Sequence, residues 1–370
     1  MKIKTPYRYP FFKICFLIFA AVCGIEGSPN PNIYGHETDV PRIAGISGLQ
    51  KNQSSDIGIP AKTFYAVLVD NNNHKWFLTE LGIISFSGEK WTLHNENKKI
   101  AAKIIRDIAY KNYPGGTELW IATPNGASVT NLPFDAGTET ADYLAGDTSI
   151  QSNNVNKVTA GNGPITWFGT DKGISALSKN KWLTPSYEET YPQIMFKDYP
   201  ITSMAANANG DSLYAGTDGA GVARVFRNDV DGISGASAYA QWGPIIIPSD
   251  KVYCIFIAPD GKEWFGTDQG AASHSGNNTL ENWTVYSTDD GLVNNFVQAI
   301  TADNKGDLWF GTRGGGISVF NGSEWISYTT NDGLNSNNIL CLTVDREGVV
   351  WIGTDNGVAC YNNGNFITYR

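Results

Sequence analysis

The chain has 370 residues and a formal net charge of −9, and a protein without a basic footprint is not expected to bind nucleic acid. Gly accounts for 40 residues and aromatic residues for 12%, a joint enrichment that points to many short strands and tight turns; without a three-residue glycine period, collagen is excluded. With 41% hydrophobic and only 17% charged residues, the chain carries enough apolar side chains for a large core, which excludes wholesale disorder.

Lys2, Lys4, Arg8 and Lys13 precede an apolar run, Ile14 to Val22, that leads into Cys23-Gly24. Residues 1–23 are therefore read as a signal peptide. The run is too short to span a bilayer, so membrane association is expected only through a lipid anchor. Ala20-Ala21-Val22-Cys23 resembles a lipoprotein box with Val22 in its usual small-residue place. Two outcomes stay open, lipidation of Cys23 or simple cleavage near Gly24. Residues 24–62, rich in Pro, Asn, Gly and Ser, read as a tether, with one extra strand around Ile43 to Ile46 that packs near the first or last repeat.

From residue 63 to 370 one unit recurs. Its core is an aromatic, an apolar residue, a third small or apolar residue and Thr: Trp76-Phe77-Leu78-Thr79, Trp120-Ile121-Ala122-Thr123, Trp167-Phe168-Gly169-Thr170, Tyr214-Ala215-Gly216-Thr217, Trp264-Phe265-Gly266-Thr267, Trp309-Phe310-Gly311-Thr312 and Trp351-Ile352-Gly353-Thr354. The seven copies lie 42 to 50 residues apart, the length of a four-stranded propeller blade. About twelve residues earlier stands an apolar pair spaced by three, such as Val297 and Ile300, which reads as the first strand. The tetrapeptide is the second strand, a turn of the form Asp-x-Gly follows it, and a third apolar run and a further aromatic (Trp91, Trp182, Trp283, Trp325, Phe366) supply strands three and four. A single meander cannot bury both its faces, so the units must stack. The predicted fold is all-β, a seven-bladed propeller of four-stranded antiparallel blades. All eleven tryptophans fit the scaffold, Trp242 doing so if Arg227 to Tyr239 is an insertion between the third and fourth strands of the fourth unit.

The last two units carry Trp309-Phe310-Gly311-Thr312-Arg313-Gly314-Gly315-Gly316, then Asn331-Asp332-Gly333-Leu334, then Trp351-Ile352-Gly353-Thr354-Asp355-Asn356-Gly357-Val358. These stretches resemble the two-component-regulator propeller repeat. That repeat builds periplasmic sensor domains of hybrid histidine kinases in Bacteroides-type bacteria, where it responds to glycan fragments. The resemblance implies an extracytoplasmic ligand-binding or sensor-like propeller, periplasmic, secreted or an outer-membrane lipoprotein, with a small molecule or oligosaccharide as ligand and carbohydrate favoured. A surface protein complex is a further expected partner. The sequence ends at Arg370 without a kinase, so no phosphotransfer by that route is expected. Streptogramin lyases are distantly similar, which leaves a lyase or hydrolase at the central pocket as the alternative and a protein-interaction scaffold as a second one. Repeat residues are scaffold and imply no catalytic positions.

The turns between second and third strands share a face with the crossovers between blades, and ligand contacts are expected there: Arg313, Asp171, Asp218, Asp268 and Asp355, beside Glu80, Asn125 and Lys172. For each Asp the competing reading is structural, a side chain closing its own tight turn. Arg313 replaces the repeated Asp and has no such role. Two enlarged crossovers, about 135–152 and 185–199, are expected to bring Tyr143, Tyr187, Tyr191 and Tyr199 to the same face as stacking platforms. His36, His74, His94 and His274 show no metal-ligand spacing, and Cys254, Cys341 and Cys360 show no C-x-x-C. No metal or other cofactor is expected, nor is catalysis favoured; a lyase would need one of these histidines or a turn acid as its base.

Overall fold

The computed structural model describes residues 54–55, 58–59 and 61–370 apart from 95–97, 102, 114–115, 133–137, 147–149, 161–162, 180, 186–198, 208–209, 211, 228–231, 240–246 and 276–281. Tyr187, Tyr191, Trp242, Cys23, His36 and the strand expected at 43–46 lie outside the described residues. Among the described residues no helix is long and apolar enough to cross a membrane.

The chain folds as a seven-bladed β-propeller. Each blade is a four-stranded antiparallel meander, as in blade 6 with Val297–Ala302, Leu308–Thr312, Gly316–Phe320 and Trp325–Tyr328. Blade 1 opens with Phe64–Val69, blade 2 with Asp107–Tyr113, blade 3 with Val155–Ala160, blade 4 with Ile201–Ala206, blade 5 with Val252–Ile257 and blade 7 with Ile339–Val344. These first strands are innermost, and each packs on the next around the ring, with Phe64–Val69 returning against Ile339–Val344.

The glycine of the repeated tetrapeptide has a steric reason. A Cβ on Gly311 would come within 2.6 Å of Ile339, and one on Gly353 within 2.9 Å of the Phe64 carbonyl, so the next blade's inner strand leaves no room for a side chain. Gly353 belongs to blade 7 and Phe64 to blade 1, so ring closure uses the same close approach as the interfaces at Gly169, Gly216, Gly266 and Gly311. Blade 7 owns four consecutive strands, ending in Gly357–Asn362 and Asn365–Tyr369, and closure is by packing of complete blades. Ser54–Ser55 adds a fifth strand, parallel to Thr368 and Tyr369 at the outer edge of blade 7.

The interface that closes the ring carries a buried ion pair. Lys75 Nζ of blade 1 lies 2.9 Å from Asp345 Oδ2 of blade 7, both side chains almost fully buried. Asp345 also accepts from the Glu347 and Val349 amides and from Trp351 Nε1, at 3.0, 3.0 and 2.9 Å. The same carboxylate-to-indole clamp recurs as Asp70 to Trp76 and Asp303 to Trp309, an Asp six residues before the tryptophan that folds the first hairpin turn and caps the ring nitrogen.

Two expectations are corrected. The stretch Arg227 to Tyr239 is no insertion: its residues Gly232–Tyr239 form the fourth strand of blade 4, pairing with Val222–Arg227 on one side and, in parallel, with Thr184 and Pro185 of blade 3 on the other. The alternation of small and apolar residues in Gly-Ile-Ser-Gly-Ala-Ser-Ala-Tyr hides a strand that lacks the usual tryptophan. Likewise Thr140–Tyr143 is the fourth strand of blade 2, so the crossover there begins only after Tyr143.

Candidate functional site

Antiparallel strand order fixes the two faces. Second-to-third-strand turns lie with the interblade crossovers on one face; first-to-second and third-to-fourth turns lie on the other.

On the crossover face the turn following each tetrapeptide is closed by its threonine. Thr170 Oγ1 donates to the Gly173 carbonyl at 2.9 Å and accepts from the Lys172 amide at 3.0 Å, and the pattern repeats at Thr79, Thr123, Thr217, Thr267 and Thr354. This corrects the structural reading of the turn acids: Thr does the work assigned to Asp. The acids look outward from the turn. Glu80 accepts from the Lys62 and Thr63 amides at 2.6 and 2.8 Å and holds the entering chain. Asp355 accepts from Asn338 Nδ2 at 3.0 Å, and Asp218 lies 3.6 Å from Lys251 Nζ. Asp171 and Asp268 each keep one buried carboxylate oxygen without a hydrogen-bond partner, an arrangement that a polar ligand or water would relieve.

Around blades 5 and 6 these groups meet aromatic rings. The Tyr253 and Phe296 rings lie 4.5 Å apart, and the Arg313 guanidinium sits 5.1 Å over Phe296. The Arg313 amide donates to the Phe296 carbonyl at 2.9 Å, fixing the turn against the crossover. Burial pushes the Tyr253 phenol above its ordinary value, with the Asp268 and Asp218 carboxylates adding to the effect and Lys251 and Arg313 opposing it, so all five groups share one field. Tyr253 occupies a bulge. Six of the seven inner strands shift register at their second residue, at Tyr65, Asn156, Thr202, Tyr253, Gln298 and Leu340, whereas blade 2 runs without a shift. An extra residue in an edge strand is turned out of the pairing pattern, here at the crossover end of the channel.

The other predicted residues are placed as follows. Tyr199 is exposed on the crossover face beside Gly219. Tyr143 is not a loop platform: its ring stacks on Trp120 at 5.5 Å and meets Trp182 edge-on at 5.8 Å, between blades 2 and 3. His94 bonds Ser85, His74 faces Asp70, and His274 is buried against Glu263. Burial pushes the thiols of Cys254, Cys341 and Cys360 up to about 12, so they behave as small apolar groups. Among the described residues no cluster of three or more His, Cys, Asp or Glu is placed to hold a metal. At the opposite end of the channel a cavity of about 1070 Å³ opens among Phe256, Ile257, Ala302, Val344 and the turn residues Asn304 and Asp345.

The fold is that of a β-propeller, with the aromatic, guanidinium and carboxylate groups just described gathered at the crossover face. Residues 291–314 and 333–356 match the family described as the two component regulator propeller, so the chain carries that repeat. No curated protein matches it in sequence. Among solved structures it is similar to the extracellular domain of a protein assigned as a hybrid two-component system of B. thetaiotaomicron, at 19% identity and a TM-score of 0.65 over 82% of this chain and 39% of that one. It is also similar to PorZ of Porphyromonas gingivalis, a surface component of the type-IX secretion system, at 17% identity and a TM-score of 0.63 over 83% of this chain and 46% of that one. A catalytically inactive virginiamycin B lyase from Staphylococcus aureus with quinupristin follows at 13% identity and a TM-score of 0.58, over 83% of this chain and 97% of that one. The chain thus spans less than half the length of the first two, and likeness at these identities is likeness of fold.

Proposed function

We propose that this propeller is an extracytoplasmic ligand-binding or sensor-like module that takes a carbohydrate at the crossover face and binds it without transforming it. The observation that carries the reading is the Tyr253–Phe296 pair with Arg313 over it and Asp218 and Asp268 beside it. Aromatic faces stack on the C–H faces of sugars, while carboxylates and a guanidinium bond the hydroxyls around the ring. The fold-level likeness to extracellular sensor domains and to a bacterial surface component supports the location. A thermal-shift screen of the protein against an oligosaccharide panel is expected to raise the melting temperature with at least one glycan at millimolar concentration, and Phe296→Leu and Arg313→Gln are expected to remove the rise. No shift with any glycan overturns the carbohydrate reading.

A further inference from the structure

A cleft stands between blades 2 and 3, and three other interfaces of the ring show what is missing there. At three interfaces the outer strand of one blade ends in a tyrosine stacked on that blade's tryptophan, and the next blade adds a ring from its third strand. Tyr286 and Trp264 receive Phe320, Tyr328 and Trp309 receive Tyr361, and Tyr369 and Trp351 receive Phe86. Strand register identifies the incoming ring: Phe320, Tyr361 and Phe86 each pair with the residue preceding their own blade's tetrapeptide and with the fourth-strand aromatic. In blade 3 that register position, paired with Thr166 and Trp182, is Leu177. The cage formed by Trp120 and Tyr143 is therefore one ring short. A cleft of about 400 Å³ stands at this place, with Trp120, Val129, Tyr143 and Leu177 on its wall and Lys111 and Glu118 at its rim.

We propose that this cleft binds a phenol, the ring entering where three other interfaces hold an aromatic side chain of their own. The protein provides the precedent for the polar contact. Where the incoming ring is Tyr361, its hydroxyl lies 3.2 Å from the hydroxyl of Tyr328, and Tyr143 is the residue in register with Tyr328. A phenol in the cleft meets the Tyr143 hydroxyl in the same way, with the rim carboxylate of Glu118, which already accepts from Trp120 Nε1 at 2.9 Å, as a further acceptor. The ligand is a free phenol or a tyrosyl group, and the site is independent of the crossover face.

The test is a titration of the full chain with p-cresol and, separately, with N-acetyl-tyrosinamide. The indole N–H signal of Trp120, assigned through Trp120→Phe, is followed by nuclear magnetic resonance. Saturable movement of that signal is expected with at least one probe, p-cresol alone marking a free phenol and both a tyrosyl group. Leu177→Phe, which gives the cleft its own ring, is expected to abolish the movement and to raise the melting temperature of the unliganded protein by about 1–2 °C, the scale of a filled cavity. The proposal is overturned by the absence of saturable movement with either probe, by movement that persists in Leu177→Phe, or by a Leu177→Phe protein that melts lower or does not fold, since the cleft then has no room for a ring.

Discussion

If the ring is fastened by Lys75 and Asp345, Asp345→Asn should be among the most damaging isosteric changes in the protein. The carboxylate is the acceptor for four donors, one of them the Lys75 ammonium of blade 1 across the interface, and Lys75 also lies 5.3 Å over the Trp351 ring. The amide keeps the volume but leaves a cation buried without its counter-charge, which costs about 3–5 kcal/mol. A propeller of about 300 residues unfolds with an entropy of ~0.6 kcal/mol/K, so the melting temperature is expected to fall by about 5–8 °C. Lys75→Met leaves Asp345 with three N–H donors and is expected to cost less. The double variant should recover most of the loss, because a buried pair replaced on both sides removes the unpaired charge along with the bond. Differential scanning calorimetry on the four proteins closes the cycle. A loss below ~1 kcal/mol for Asp345→Asn, or single effects that simply add, would refute the role of this pair in closing the ring.

Two further outcomes follow from the packing and one from the N-terminal sequence. Gly311→Ala is expected to destabilise by about 1–3 kcal/mol because its Cβ would overlap Ile339 of the next blade, whereas Gly58→Ala, with open space around it, should be near neutral in urea titration. Asp107 sits between inner strands 3.8 Å from Lys157, and burial raises its carboxyl above the ordinary 3.8 despite that partner. The folded state then holds the proton more tightly than the unfolded chain, and this group favours folding most at low pH. Its contribution is lost as pH rises through the raised value, so the melting temperature of Asp107→Asn relative to the unsubstituted protein should climb between pH 4 and 7; a flat or falling difference counts against it. Cys23→Ala decides between the two outcomes left open for the leader: a protein that leaves the membrane fraction marks lipidation of Cys23, and an unchanged distribution contradicts it.

Much of this architecture was legible because a blade's internal contacts are local and repeat with the sequence. The tetrapeptide marks the second strand of every blade, its glycine where the next inner strand comes close, and its threonine where the turn is tied. Legibility failed where a unit departs from the pattern, as at Gly232–Tyr239, which carries no tryptophan, and at Tyr143, which looks like a loop residue because its strand is short. Tyr253 and Phe296 were missed for a different reason. Tyr253 stands inside an apolar pair, Val252 and Ile255, whose spacing of three already implied an extra residue, and the varied set Tyr65, Asn156, Thr202, Tyr253, Gln298 and Leu340 within an otherwise regular frame was the available signal.

The period, the residue types at each step and the excess of glycine and aromatic residues thus determine the blade, the number of blades and their close stacking. Tertiary structure alone decides which single residues from separate blades converge: Tyr253 on Phe296 and Arg313, Lys75 on Asp345, Leu177 facing Trp120 and Tyr143. Each blade contributes only one or two side chains to such a place, and partners can stand a full turn of the ring apart in sequence. No periodicity records their identity; the ring brings them together through the angle between blades.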